Sequence, residues 1–120
     1  MSISDYDELR AKRAAENQSL FREVNERIER LNESFAAAAE ATDWVCECAD
    51  TSCMERISMT LGEYEALRRV SNSFAVVPGH EMLEVELVVE EQNGYLVVSK
   101  VGAGAELARK LDPRADKRWL

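Results

Sequence analysis

The N-terminal part of the chain carries apolar residues at helical spacing. They recur every three or four positions, which places them on one stripe of a helix, while the charged residues between them fall mostly outside it. The stripe consists of Leu20, Val24, Ile28, Leu31 and Phe35. Residues 4 to about 41 contain no Pro or Gly and are rich in Ala, Glu, Arg and Leu. The pattern therefore predicts one long helix, with Ser19 and Asn32 as the points where it could break.

A narrow apolar stripe favours burial against another surface, and two alternatives stay open from the sequence. In the first, the stripe packs on the protein's own sheet. In the second, it binds a partner protein or a second copy of the chain, which would give a homodimer.

After this helix the pattern becomes that of short strands. Residues 44–48 alternate as a strand does, and residues 56–59 form a second short run of the same kind. The cysteine-containing segment is thus predicted to be the turn between two strands. Thr60 and Glu63 have the spacing of a capping box, which predicts a helix over residues 61–69.

The next extended segment, residues 74–77, leads into the Pro78-Gly79 turn, which delivers the only histidine, His80. Near the end of the chain, an Ala- and Leu-rich run after a glycine predicts a short helix over residues 103–111.

A β-hairpin is predicted between these two features. Residues 84–91 and 95–101 are rich in β-formers and flank Asn93-Gly94, a strong hairpin signal. Alternate residues of the first strand point to opposite faces, so the hairpin is expected to be half-buried. A solvated sheet face is expected for the acidic run Glu84, Glu86, Glu90 and Glu91.

Together these elements predict an α+β protein: a long N-terminal helix followed by a small, mostly antiparallel sheet, held by zinc, with two short helices. The predicted division is an amphipathic helix over residues 1–41, a zinc-binding α+β domain over residues 42–112 and a charged tail over residues 113–120.

Composition and charge disfavour several classes of function. The formal net charge of −8 opposes binding to a phosphate backbone, so nucleic acid is not expected as a partner. No run of residues reaches the roughly 18 apolar positions that a membrane span requires, and the N-terminus has no apolar signal region. Three cysteines do not make a secreted disulfide framework, and we expect a cytoplasmic protein in which clustered thiols bind metal.

The candidate chemistry lies in four residues. Cys46 and Cys48 are two apart on a predicted strand, so their sulfurs share a face, and a four-residue turn can return Cys53 to the same point. Three thiolates and the imidazole of His80 complete the tetrahedral shell of a closed structural zinc site. The predicted metal ligands are therefore Cys46, Cys48, Cys53 and His80, with Zn²⁺ as the cofactor.

Other interpretations of these residues stay open. The cysteines could be small buried apolar side chains, or an iron–sulfur cluster could use them, although such clusters usually take four cysteines. If His80 is not a ligand, Asp50, Glu47 or Asp43 could supply an oxygen to the metal instead. If a water held the fourth position, Glu81 would be the general base of a zinc-dependent hydrolase. Oxidation of the thiols would instead make a redox switch that releases zinc.

Residues 44–69 and 74–81 resemble a group of short uncharacterised actinobacterial proteins. The resemblance rests on the Cys-x-Cys-x4-Cys run, on Pro-Gly-His and on a charged N-terminal helix with the sequence R-E-V-N-E-R-I-E. It implies that the three cysteines and His80 act as one group, and it implies no activity. We expect a non-enzymatic, zinc-binding interaction or regulatory module.

Overall fold

A computed structural model of the chain describes residues 3–32 and 40–115. In chain order the elements are α1 (Ile3–Asn32), β1 (Ala41–Val45), β2 (Arg56–Thr60), α2 (Leu61–Arg68), β3 (Ser73–Val76), β4 (Glu86–Gln92), β5 (Tyr95–Lys100) and α3 (Gly102–Lys110). The predicted α+β class is confirmed, because one long N-terminal helix precedes small antiparallel sheets and two short helices. The strands divide into two sheets, β1-β2 and β3-β5-β4.

Local sequence signals explain several boundaries. At the start of α2 the Thr60 hydroxyl accepts from the Glu63 backbone N–H at 3.0 Å, and the Glu63 carboxylate accepts from the Thr60 N–H at 3.0 Å. This reciprocal pair confirms the predicted capping box. The β4–β5 hairpin turns at Asn93-Gly94, where Gly94 has a φ of 94°, a conformation that glycine adopts without steric cost.

The core lies between the two sheets and the helices. Trp44 of β1 stacks on Tyr64 of α2 with ring centroids 4.2 Å apart, and both side chains are fully buried. The other fully or almost fully buried apolar side chains include Ile57, Met59, Phe74, Val76 and Val98. One buried cluster thus contains side chains from both sheets and from α2.

The buried face of α1 is not the predicted apolar stripe. Leu20 and Leu31 are 57% and 68% exposed, Val24 is also exposed, and only Ile28 packs against the core. Phe35 lies outside the described residues. For Leu20, Val24 and Leu31 the alternative of packing on the protein's own sheet is therefore wrong. The helix buries Ala11, Ala14, Ala15, Gln18, Ser19, Arg22, Asn25, Glu26 and Glu29 instead.

Several polar residues on this buried face form hydrogen bonds to other parts of the protein. Arg22 donates to the carbonyl oxygens of Ser71 and Ala108, at 2.7 Å each, and its guanidinium lies 4.8 Å from the ring centroid of Phe74. Small residues then let α1 approach α3: a Cβ on Gly104 would lie 3.1 Å from the Ala11 carbonyl oxygen.

One residue of the acidic run in β4 departs from the prediction of a solvated face. Glu86 is 1% exposed, and it pairs with the equally buried Lys100 of β5 at 3.0 Å. A β-bulge between Val88 and Glu90 shifts the register of β4, so strict alternation does not hold along the strand.

The second residue of the predicted charged tail, Arg114, binds α1. Arg114 donates to the carboxylates of Glu26 and Glu29 and to that of Glu65 on α2, at distances of 2.6 to 3.0 Å. Residues 116–120 of the predicted tail lie outside the described residues. The arginine thus joins the helix to the end of the domain.

This cluster predicts a pH dependence of stability. Burial raises the pKa of the Glu29 carboxyl to about 8, and a hydrogen bond with Glu65 adds to the rise, while Arg114 lowers the pKa of Glu65 to about 2. The folded chain therefore holds the Glu29 proton more tightly than the unfolded chain does. Its stabilising effect is complete below the ordinary carboxyl pKa of 4.5 and is lost as the pH rises towards 8.

We expect Glu29→Gln to abolish this loss, because an amide keeps a donor at the site without a proton to release. Urea unfolding between about pH 5 and pH 9 measures the effect as a flatter pH profile. Glu23→Gln, at an exposed position of the same helix, should keep the wild-type profile. Equal profiles for the wild type and Glu29→Gln would contradict the assignment.

Candidate metal centre

The cysteine loop, residues 46–55 between β1 and β2, is shaped by hydrogen bonds around Asp50. The Asp50 carboxylate accepts from the backbone N–H of Ser52 at 2.9 Å and from its hydroxyl at 2.6 Å, and the Asp50 carbonyl accepts from the Cys53 N–H at 3.0 Å. Such a turn is typical of Asp. It returns Cys53 towards Cys48, as the spacing predicts.

The fourth side chain comes from the turn after β3. The His80 N–H donates to the Val77 carbonyl at 2.9 Å, and Gly79 has a φ of 97° at the position of the turn that needs it. The Gly79 N–H donates to the Glu81 carboxylate at 2.7 Å. Pro78 and Gly79 thus direct the imidazole back over the cysteine loop.

These two segments bring the predicted ligands together. The thiol–imidazole cluster consists of Cys46, Cys48, Cys53 and His80, and its ligand atoms all lie within 4.8 Å of one another. The Nδ1 atom of His80 is 3.7 Å from the Cys46 sulfur and 3.6 Å from the Cys53 sulfur. With zinc–sulfur and zinc–nitrogen bonds of about 2.3 Å and 2.0–2.1 Å, a tetrahedral site separates sulfur from nitrogen by about 3.6 Å. The cluster therefore fits a tetrahedral metal ion.

Burial and charge in the cluster also fit a cation. Cys46 and Cys48 are almost fully buried, whereas Cys53 and His80 are half-buried. Burial raises the pKa of the Cys46 and Cys48 thiols, and charge on the neighbouring thiols raises it further. A divalent ion offsets both effects, since thiolates are the form that binds metal.

Glu47, between the first two ligands, fixes the cysteine loop and was not predicted from the sequence. Its backbone N–H donates to the Ala75 carbonyl at 2.8 Å, and its carboxylate accepts from the Ala75 N–H at 3.0 Å and from the Asn25 amide at 2.9 Å. The side chain is fully buried. The only signal in the sequence is a charged residue facing away from the thiols in an otherwise buried run, which identifies no partner.

Helix α1 holds the loop from its other side through two asparagines. The Asn25 side chain donates to the Val45 carbonyl and accepts from the Val45 N–H, both at 2.9 Å. Asn17 donates to the Ala49 carbonyl at 2.8 Å. Strand β1 consequently ends at Val45, and the next residues turn towards α1 and β3 rather than continuing the strand to residue 48.

Comparison with models of protein families, with curated proteins and with solved structures gives no match for this chain. The resemblance to short actinobacterial proteins therefore stays a sequence-based prediction. Within residues 3–32 and 40–115, no helix combines the length and apolar character that crossing a membrane requires. The functional conclusion rests on the geometry of the cluster.

Proposed function

We propose that the thiol–imidazole cluster binds one zinc ion in a closed structural site and that the protein is a non-enzymatic interaction or regulatory module. The observation that carries the proposal is the convergence of three sulfurs and one imidazole nitrogen within 4.8 Å. Zinc suits this set best, since it takes thiolate and imidazole ligands in tetrahedral geometry, whereas iron–sulfur clusters usually need four cysteines.

A closed site is favoured over a hydrolytic one because four protein atoms fill a tetrahedral shell. Catalytic zinc sites keep one position for water. Glu81 would be the general base in the hydrolytic alternative. Its carboxylate instead accepts a hydrogen bond from the Gly79 N–H and so stabilises the turn that carries His80. These contacts favour a structural role for the metal, in which it joins the cysteine loop to the end of β3.

The interaction part of the proposal is supported by the exposed stripe residues of α1, Leu20, Val24 and Leu31. Large apolar side chains on one side of a charged helix are available to a partner protein or a second copy. Light scattering on the zinc-loaded chain tests the second-copy alternative directly. A monomeric mass would exclude the homodimer and leave a different partner protein as the remaining alternative.

Metal analysis of protein purified without chelator should give close to one zinc per chain. Cobalt added to the stripped protein should produce the absorption of a tetrahedral, thiolate-bound ion, and zinc should displace it. His80→Ala should lower zinc affinity by at least about tenfold, because a closed site loses one of its four bonds. Protein that takes up neither ion, or a His80→Ala variant with unchanged affinity, would refute the proposed site.

A further inference from the structure

The outer edge of β3 is covered by the cysteine loop rather than by another strand. In the order β3-β5-β4, β5 is the one strand among the described residues that pairs with β3, so the other side of β3 could accept a strand. The backbone N–H and C=O of Ala75 point to that side, and both bind Glu47. Two residues further along, the Val77 N–H donates to the Cys46 sulfur at 3.2 Å.

Glu47 thus takes the place of a residue in a neighbouring strand. In an antiparallel sheet, two facing residues of the hydrogen-bonded kind exchange both backbone hydrogen bonds. Here the Glu47 N–H supplies the donor for Ala75 and the Glu47 carboxylate supplies the acceptor, at 2.8 and 3.0 Å. Glu47 therefore satisfies the hydrogen-bonding groups of Ala75 at the edge of β3 without adding a strand.

The two edges of this sheet are protected in different ways. Strand β4 carries Glu90 and Glu91 and has a β-bulge, features that discourage pairing with another chain. Residues 73–77 have the sequence Ser-Phe-Ala-Val-Val, which is uncharged and rich in β-formers. Among the described residues, the cover of this second edge is the cysteine loop.

We propose that the cysteine loop is a zinc-dependent cover of the β3 edge, and that loss of zinc lets β3 pair with β3 of a second copy. The proposal rests on the proposed zinc site. Zinc would tie the loop to the C-terminal end of β3, because Cys46 lies beside Val77 and His80 follows the turn after β3. Without the metal, the hydrogen bonds of Glu47 and Cys46 and the packing of the buried Cys46 and Cys48 side chains hold the loop in place.

A second copy is the occupant that the edge fits. Ala75 has its N–H and C=O on the same outer side, so two β3 strands related by a twofold axis at Ala75 would exchange both hydrogen bonds. The segment has no charge to repel its own copy. The apolar residues on either side of Ala75 give an antiparallel pair without unfavourable contacts between like charges.

The test compares the full chain with zinc and after removal of zinc by a chelator, with a phosphine reductant present to exclude disulfides. Light scattering should give the stripped chain at least twice the mass of the loaded chain at the same concentration. Hydrogen exchange over residues 73–77 should speed up on stripping in dilute solution and slow down again as the concentration rises. This second measurement needs no variant.

A pair of matched variants locates the contact. Val77→Lys places a charge on the β3 edge and should abolish self-association of the stripped chain, while Val89→Lys on β4 should leave it unchanged. Zinc content and circular dichroism of the loaded variants check that both fold. The reverse result would assign the contact to β4 and overturn the proposal.

The remaining outcomes separate this inference from the zinc site itself. Zinc that binds and is removed without any change in mass would overturn the cover while leaving the zinc site intact. A chain that never takes up zinc would instead refute the proposed function. Self-association of the stripped chain that Val77→Lys leaves unaltered would mean that β3 is not the contact.

Discussion

Cys46→Ser is expected to abolish stoichiometric zinc binding and to lower the free energy of unfolding by about 4 kcal/mol or more, because structural zinc binding is coupled to folding and loss of a metal is among the most destabilising changes. A serine hydroxyl is a poor ligand for zinc at neutral pH, and three remaining ligands leave the shell incomplete. Cys46 is also the sulfur that accepts from the Val77 N–H, at 3.2 Å. Its loss therefore weakens the contact between the cysteine loop and the end of β3 in two ways.

Denaturant unfolding with and without a chelator measures this effect. The wild type should lose stability when the chelator is added, and Cys46→Ser should be insensitive to it, because the metal contribution is already absent. Thr51→Ala changes an exposed residue of the same loop and should keep both the zinc and the stability. A stabilising metal would be excluded if Cys46→Ser were as stable as the wild type and the chelator left the free energy of unfolding of the wild type unchanged.

The members of the thiol–imidazole cluster could be predicted from the sequence because each is marked by a local signal. Cys46, Cys48 and Cys53 lie within eight residues, and the Pro-Gly turn before His80 is a strong signal by itself. The capping box of α2 and the Asn-Gly hairpin are local in the same sense. In the capping box, the hairpin and the cysteine run, one short segment contains both the residues and the geometry that they require, whereas the contact of His80 with the cysteines is long-range.

The orientation of α1 could not be predicted in the same way. Its apolar stripe was the only periodic signal, yet the buried face holds Arg22, Asn25 and Glu26, whose partners come from distant parts of the chain. A charged residue is buried only where another group binds it, and the sequence of the helix does not contain that group. Helix periodicity therefore predicted the element but assigned the wrong face to the core.

The same reasoning explains why Glu86 is buried, since its partner Lys100 lies on another strand. It also gives the second prediction with a large effect on stability. Lys100→Met is expected to lower the free energy of unfolding by about 3–5 kcal/mol, because it leaves a buried carboxylate without its cation. Lys100 and Glu86 have side chains that are 0% and 1% exposed, with the charged atoms 3.0 Å apart. The remaining donors to Glu86 are the Gln18 amide at 3.3 Å and the Met82 N–H at 2.8 Å, and neither carries a charge.

A double variant distinguishes the lost charge balance from lost packing. Lys100→Met with Glu86→Gln removes both charges while keeping side chains of similar size, and it should recover most of the stability, since a buried ion pair is often replaceable by neutral groups. Lys110→Met, at an exposed position of α3, should change the free energy of unfolding by less than about 0.5 kcal/mol. If the double variant were as unstable as Lys100→Met, the cost would lie in the packing of the lysine stem beside Gly104, whose added Cβ would lie 3.3 Å from the Lys100 Cε, and not in the unpaired carboxylate.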